Sequence, residues 1–129
     1  MQVSKQQVNP NLEKQILRMW YQLTADIKTP EEAEKIFDGL FSKTELITIA
    51  KRLGVGYWLS KARSYENIKQ NLKVSSAAIA SVQQDLKKGG WKEAIKKITA
   101  DEWASVWEEK IKNLFKKRGD GQSVNSPSR

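Results

Sequence analysis

Ser64-Tyr-Glu-Asn-Ile-Lys-Gln-Asn-Leu-Lys-Val-Ser-Ser-Ala-Ala-Ile-Ala-Ser-Val-Gln-Gln-Asp-Leu86 is the stretch that decides the fold. Ser64 and Ser75 each precede a helical pattern, and a serine hydroxyl there can accept from first-turn N–H groups that lack an intrahelical partner. The spacing predicts a short helix from Tyr65 to Leu72 and a second from Ser75 to about Lys88, with Gly89-Gly90 ending it. Lys73-Val74 is the turn between them. Ile68 and Leu72 lie inward on the first helix, Ile79, Val82 and Leu86 lie inward on the second, and Val74 plugs the turn. Two short helices can then cross steeply on one small apolar patch, the arrangement of a helix-turn-helix. One position departs from that pattern. The turn residue, often glycine, is Lys73, and a left-handed backbone would cost it something.

The outward face of the second helix carries Ser75, Ser76, Ala77, Ala80, Ser81 and Gln84, all small or polar. No bulky side chain keeps the backbone from base edges. Serine and glutamine can hydrogen-bond to bases, and alanine can touch a thymine methyl. Lys69, Lys73, Lys87 and Lys88 flank this face, with Arg52, Lys61 and Arg63 just upstream, and these cations could meet phosphates. The plain alternative is a helical hairpin with a solvated polar face.

The rest of the chain also reads as helix, because apolar positions recur at three and four with no alternating β pattern. A first helix is expected from about Asn11 to Asp26, with a stripe of Leu12, Ile16, Met19, Trp20, Leu23 and Ile27; Trp20 and Tyr21 read as ordinary core. Thr29-Pro30-Glu31-Glu32 and Ser42-Lys43-Thr44-Glu45 have the form of capping boxes that open two more helices. Ile36, Phe37 and Leu40 mark the buried face of the first of these, and Leu46, Ile49, Ala50, Leu53 and Tyr57 that of the second. Gly54 and Gly56 fall inside the latter, where a kink, a close helix contact or a break would each fit. A short helix is expected from Trp91 to Ile98. Thr99-Ala100-Asp101-Glu102 reads as a third capping box, opening an amphipathic helix with Trp103, Trp107, Ile111, Leu114 and Phe115 on one side.

The expected organisation is all-α. Residues 1–8 form a loose segment, 9–90 the main domain, 91–118 a C-terminal helical extension, and 119–129 a disordered tail poor in apolar residues. The chain has 129 residues, enough for one domain with a modest core. Its formal charge is +8, which favours polyanions, although many small proteins are basic without binding one. It has no cysteine and no histidine, which removes disulfides, thiolate nucleophiles, imidazole bases and the usual zinc sites. With no membrane-length apolar run and no leader-like N-terminus, the chain reads as soluble, unexported and cytoplasmic, associated with the nucleoid.

The segments Phe41-Ser-Lys-Thr-Glu-Leu and Ala50-Lys-Arg-Leu, followed by Tyr65-Glu-Asn-Ile-Lys and Val74-Ser-Ser-Ala-Ala-Ile-Ala-Ser-Val, resemble the Trp repressor-like family. The resemblance covers about Leu12 to Gly90. It implies a homodimer with interlocked N-terminal helices, whose paired reading helices meet successive major grooves of a two-fold symmetric operator. Family base-reading positions match Ser76, Ala77 and Ala80, and a basic position on the preceding helix matches Lys69. Of the two arginines that hold tryptophan in the tryptophan-sensing member, one matches Arg52. The other falls at Ser81, and the glycine beside it falls at Val82. The lost guanidinium removes a bidentate carboxylate clamp, so no tryptophan corepressor is expected.

The C-terminal stripe ends in Lys116-Lys117-Arg118, so it could contact a membrane or DNA, but Glu108 and Glu109 blunt that reading and packing on the protein's own body is simpler. An enzyme is not expected. The acidic residues Glu31, Glu32, Glu45, Asp101 and Glu102 sit at helix starts, where dipole compensation accounts for them, and neither a phosphate loop nor an acidic metal cluster is evident. No cofactor or metal is expected. Two readings stand: a sequence-specific, double-stranded DNA-binding regulator acting as a homodimeric repressor, and a helical protein-interaction module that never touches DNA.

Overall fold

The computed structural model describes residues 4–101 and 106–114. Its helices are α1 (Pro10–Asp26), α2 (Pro30–Leu40), α3 (Lys43–Ser60), α4 (Tyr65–Leu72), α5 (Ser76–Asp85) and α6 (Gly89–Ala100), followed by α7 over 106–114. The fold is all-α, as the periodicity predicts. The described residues fall into two compact units, one ending at Lys51 and the other beginning at Arg52.

In the first unit the helix starts follow local chemistry. The Asn9 side chain accepts from the N–H groups of Asn11 and Leu12, and Pro10 takes the first helical position. At α3 the capping box is reciprocal: Glu45 N–H donates to Ser42 Oγ at 3.1 Å and Ser42 N–H donates to Glu45 Oε1 at 2.8 Å. The Ser42 N–H first, and then the Ser42 hydroxyl, hold the Glu45 carboxyl below its ordinary value. At α2 the box is shifted. Glu32 N–H donates to Thr29 Oγ1 at 3.1 Å, but the Glu32 carboxylate accepts from Lys28 N–H at 3.0 Å, one residue ahead of the cap.

Trp20, Phe37 and Phe41 form an aromatic triad in this unit, with ring centroids 5.6–5.8 Å apart. Little else is covered. None of the residues in α1 or α2 is buried, and Leu12, Ile16, Met19 and Ile49 are each between 44% and 66% exposed. Tyr21, expected in the core, is 59% exposed, because the triad takes Trp20 and leaves its neighbour on the far side of the helix.

The second unit contains the core. Val55, Tyr57, Trp58, Ile68, Ile79, Val82 and Ile111 are buried, with Leu72, Val74, Leu86, Trp91, Ile95, Ile98 and Trp107 packed around them. Gly54 and Gly56 do not break α3. A Cβ on Gly56 would stand 2.3 Å from Trp91 Cζ3, so the glycine is the floor on which the indole lies. Trp107 packs tilted against two rings of α3, its centroid 5.7 Å from that of Tyr57 and 6.4 Å from that of Trp58. Through Trp107 and Ile111, therefore, the C-terminal stripe packs on its own chain. Trp103, Phe115, Lys116, Lys117, Arg118 and the expected 119–129 tail lie outside the described residues, as do residues 1–3 of the expected 1–8 segment.

Two expected helix boundaries are overturned. Gly89-Gly90 does not end the reading helix. α5 closes at Asp85, the turn is held by Lys88 N–H donating to Asp85 O at 2.9 Å, and the two glycines open α6. Glycine is ambiguous between the end of one helix and the start of the next; here Lys88, extended at φ −70° and ψ 148°, separates α5 from α6, and Trp91 of α6 packs over Gly56. Thr99 likewise caps nothing. It lies inside α6, where its hydroxyl donates to Ile95 O at 2.7 Å, and the C-cap of α6 is Asp101. Glu102 lies outside the described residues.

Candidate nucleic-acid interface

The helix pair α4–α5 is built as its caps dictate. Ser64 Oγ accepts from Asn67 N–H and Ser75 Oγ accepts from Ala78 N–H, each at 3.1 Å. Lys73 adopts the left-handed conformation, φ 56° and ψ 57°, and its N–H donates to Lys69 O at 3.0 Å. This single bond closes α4 in the αL motif, at the position where glycine would be unstrained. Ile68 and Ile79 are fully buried beneath the crossing, Val82 is nearly so, and Leu72, Val74 and Leu86 close its edges.

A second left-handed residue enters the pair. Ala62, φ 63°, follows α3; Arg63 N–H donates to Trp58 O and Ala62 N–H to Leu59 O, the two bonds of a Schellman motif. Arg63 is then fixed against the core. Its guanidinium stands 5.9 Å from the Trp58 ring centroid and 3.6 Å from Glu108 of α7. The Tyr57 hydroxyl has its pKa raised, first by burial and then by the charge of the same Glu108.

All six residues expected to read bases are exposed. On α5, Ser76, Ala80 and Gln84 form one i, i+4 row and Ala77 and Ser81 an adjacent one, opposite the buried Ile79 and Val82. Ser75 differs from the others because its hydroxyl is engaged as the cap. Lys69, Lys73 and Lys87 are exposed around this face. Lys61 Nζ lies 5.6 Å from the Tyr57 ring centroid. Arg52 Nη2 stands 3.1 Å from Asp85 Oδ2, and Lys88 Nζ stands 3.2 Å from Asp85 Oδ1. Arg52, Lys61, Arg63 and Lys88, four of the expected phosphate cations, therefore hold contacts on the protein itself. Asp85 is the residue that sequence reasoning missed. Its pairing with Lys88 is legible as an i, i+3 contact, but its pairing with Arg52 spans 33 residues and leaves no local mark.

The family model for the Trp repressor protein matches residues 15–99. The chain belongs to the Trp repressor family. Members of this family are DNA-binding transcription regulators rather than enzymes. The match takes in α4 and α5 entire and runs beyond Gly90 through most of α6, further than the motifs alone carried the resemblance. Comparison with curated proteins returned no match, and neither did comparison with solved structures. No helix among the described residues is long and apolar enough to cross a membrane.

Proposed function

We propose that this Trp repressor family protein is a homodimeric repressor that binds a specific duplex sequence with α5 in the major groove. The observation that carries this reading is the α5 surface: two exposed rows of small and polar residues, held up on the fully buried Ile68 and Ile79, with the exposed Lys69, Lys73 and Lys87 before and after it in the chain. A helix bearing Ser76, Ala77, Ala80, Ser81 and Gln84 can approach base edges without steric obstruction, with Ser75 at its cap. Lys69, Lys73 and Lys87 supply phosphate contacts, and Arg52, Lys61, Arg63 and Lys88, which also touch groups of the protein, are the remaining candidates. The protein acts in the cytoplasm, on the nucleoid.

Dimerisation is supported by the first unit. Leu12, Ile16 and Met19 run along α1 at helical spacing and stay exposed, as does Ile49 on α3. An apolar stripe of this kind is accounted for if a second copy covers it. Tryptophan has no role as corepressor in this reading: Ser81 supplies no guanidinium, Val82 adds bulk, and Arg52 faces a carboxylate of its own chain.

The test is fluorescence anisotropy against genomic duplex fragments at two salt concentrations. Selective binding of a few fragments that survives moderate salt is expected, with Lys69→Glu and Ala77→Asp abolishing it while the helical circular dichroism persists. Uniform binding that vanishes with salt would reduce the site to a basic surface and favour the protein-interaction reading.

A further inference from the structure

α5 ends on Asp85, and that placement is unfavourable twice over. An acid at a helix C-terminus opposes the helix dipole. Asp85 also follows Ala77 and Ser81 at i+4 spacing, so it continues one of the rows that, on the proposed reading, faces DNA. Two cations offset both costs. Lys88 is three residues away, and its ammonium, 73% exposed, ties the carboxylate only to the next turn of chain. Arg52 is different. It stands on α3, 33 residues upstream, and donates to Asp85 Oδ2 at 3.1 Å.

Ile79 and Val82 are the buried residues of α5, and beyond them Leu86, at its C-cap, is only partly buried against the core. The Arg52–Asp85 bond joins that end of the helix to α3. We infer that Asp85 is a positioning residue: through Arg52 it fixes the C-terminal end of α5 against α3, and so sets the angle at which the reading rows are presented. A carboxylate of the chain itself completes the contact, so the reading helix is oriented without an anionic effector. This inference rests on the DNA-binding reading for its functional consequence, though the coupling between Asp85 and Arg52 stands apart from it.

A double-mutant cycle on the full chain tests it, using Arg52→Gln, Asp85→Asn and the pair together. Without DNA, hydrogen exchange at the α5 amides is expected to lose about threefold in protection in either single variant, the scale of a well-placed surface pair, and to lose no more in the double. Unchanged protection, or losses that add, would overturn the coupling. With DNA, the quantity to measure is the ratio of affinity for the selected fragment to that for a scrambled duplex. Removing a negative charge by itself strengthens binding to both duplexes alike and leaves this ratio unchanged. Loss of positioning lowers the ratio in Asp85→Asn, and Asp85→Glu restores it. If exchange responds as expected but the parent protein prefers no duplex, the DNA reading fails and the latch stands; if the parent is selective and the ratio stays fixed in Asp85→Asn, the positioning role fails and the DNA reading stands.

Discussion

Lys73 sits at the one turn position where stability and DNA binding should respond in opposite directions. Its φ of 56° places a Cβ in the left-handed region, which costs an L-residue roughly 1–2 kcal/mol. Lys73→Gly removes that cost but gives the unfolded chain extra freedom worth about 0.5–1 kcal/mol. The difference is a net stabilisation of up to about 1.5 kcal/mol, centred on ~0.8 kcal/mol, or an increase in Tm of about 2–4 °C at that centre for a chain of this size. The αL bond from residue 73 N–H to Lys69 O is a backbone bond and survives the substitution. The lost ammonium acts on DNA. One phosphate contact fewer lowers the salt slope by about 0.9, a loss of roughly fivefold in affinity near 0.15 M salt. Lys73→Ala separates the two effects, because it keeps the Cβ in the left-handed turn and removes only the charge. Urea melts at one fixed protein concentration, together with anisotropy titrations over a salt series, read both quantities. A glycine variant that melts earlier than the parent would refute the strained-turn argument. A glycine variant that melts later while its salt slope is unchanged would remove Lys73 from the phosphate contacts.

The two glycines inside α3 should respond oppositely to alanine. Gly54→Ala meets Leu72 Cδ1 at an ordinary 3.4 Å and should gain up to about 1 kcal/mol of helix propensity, whereas Gly56→Ala drives a methyl into the Trp91 ring and should lose about 1–3 kcal/mol; thermal melts of both variants check this. Ala62→Gly, at the other left-handed turn, should stabilise as Lys73→Gly does but leave the salt slope of DNA binding unchanged. The capping box at α3 should make stability depend on acid. Because the folded state holds the Glu45 carboxyl below its ordinary value, its contribution is present above the usual carboxylate range and is lost as pH falls through the depressed value, so Glu45→Gln should flatten the acid limb of a pH–stability curve.

Most of the candidate site could be read from local chemistry. Ser64 and Ser75 stand where the hydroxyls cap, Ile68, Ile79 and Val82 stand where the crossing is buried, and the small residues of α5 fall on the opposite side. Each of these signals acts within one or two helical turns, so a linear reading finds it. Even the strain at Lys73 was visible, because a turn of that length calls for a left-handed residue whatever its side chain.

Other features depended on residues far apart in the chain. Gly54 and Gly56 each fitted a kink, a close contact or a break, and the arrival of Trp91 over Gly56 decided for contact there. Gly89-Gly90 carried the mark of a helix end and became a helix start, because the chain turns earlier, at the extended Lys88. Thr99 had the form of a cap but lies inside α6, bonded back to Ile95. The Arg52–Asp85 bond joins two helices 33 residues apart, and no periodicity records it. The stripe of Leu12, Ile16 and Met19 was plain in the sequence as apolar, but only the tertiary structure shows that its own chain leaves it half-exposed. The sequence by itself determined where helices begin and which side of each is apolar, since capping and periodicity are local. Which apolar side meets which, and which charge finds a partner, was decided by packing between distant residues, and that exists only once the chain has folded.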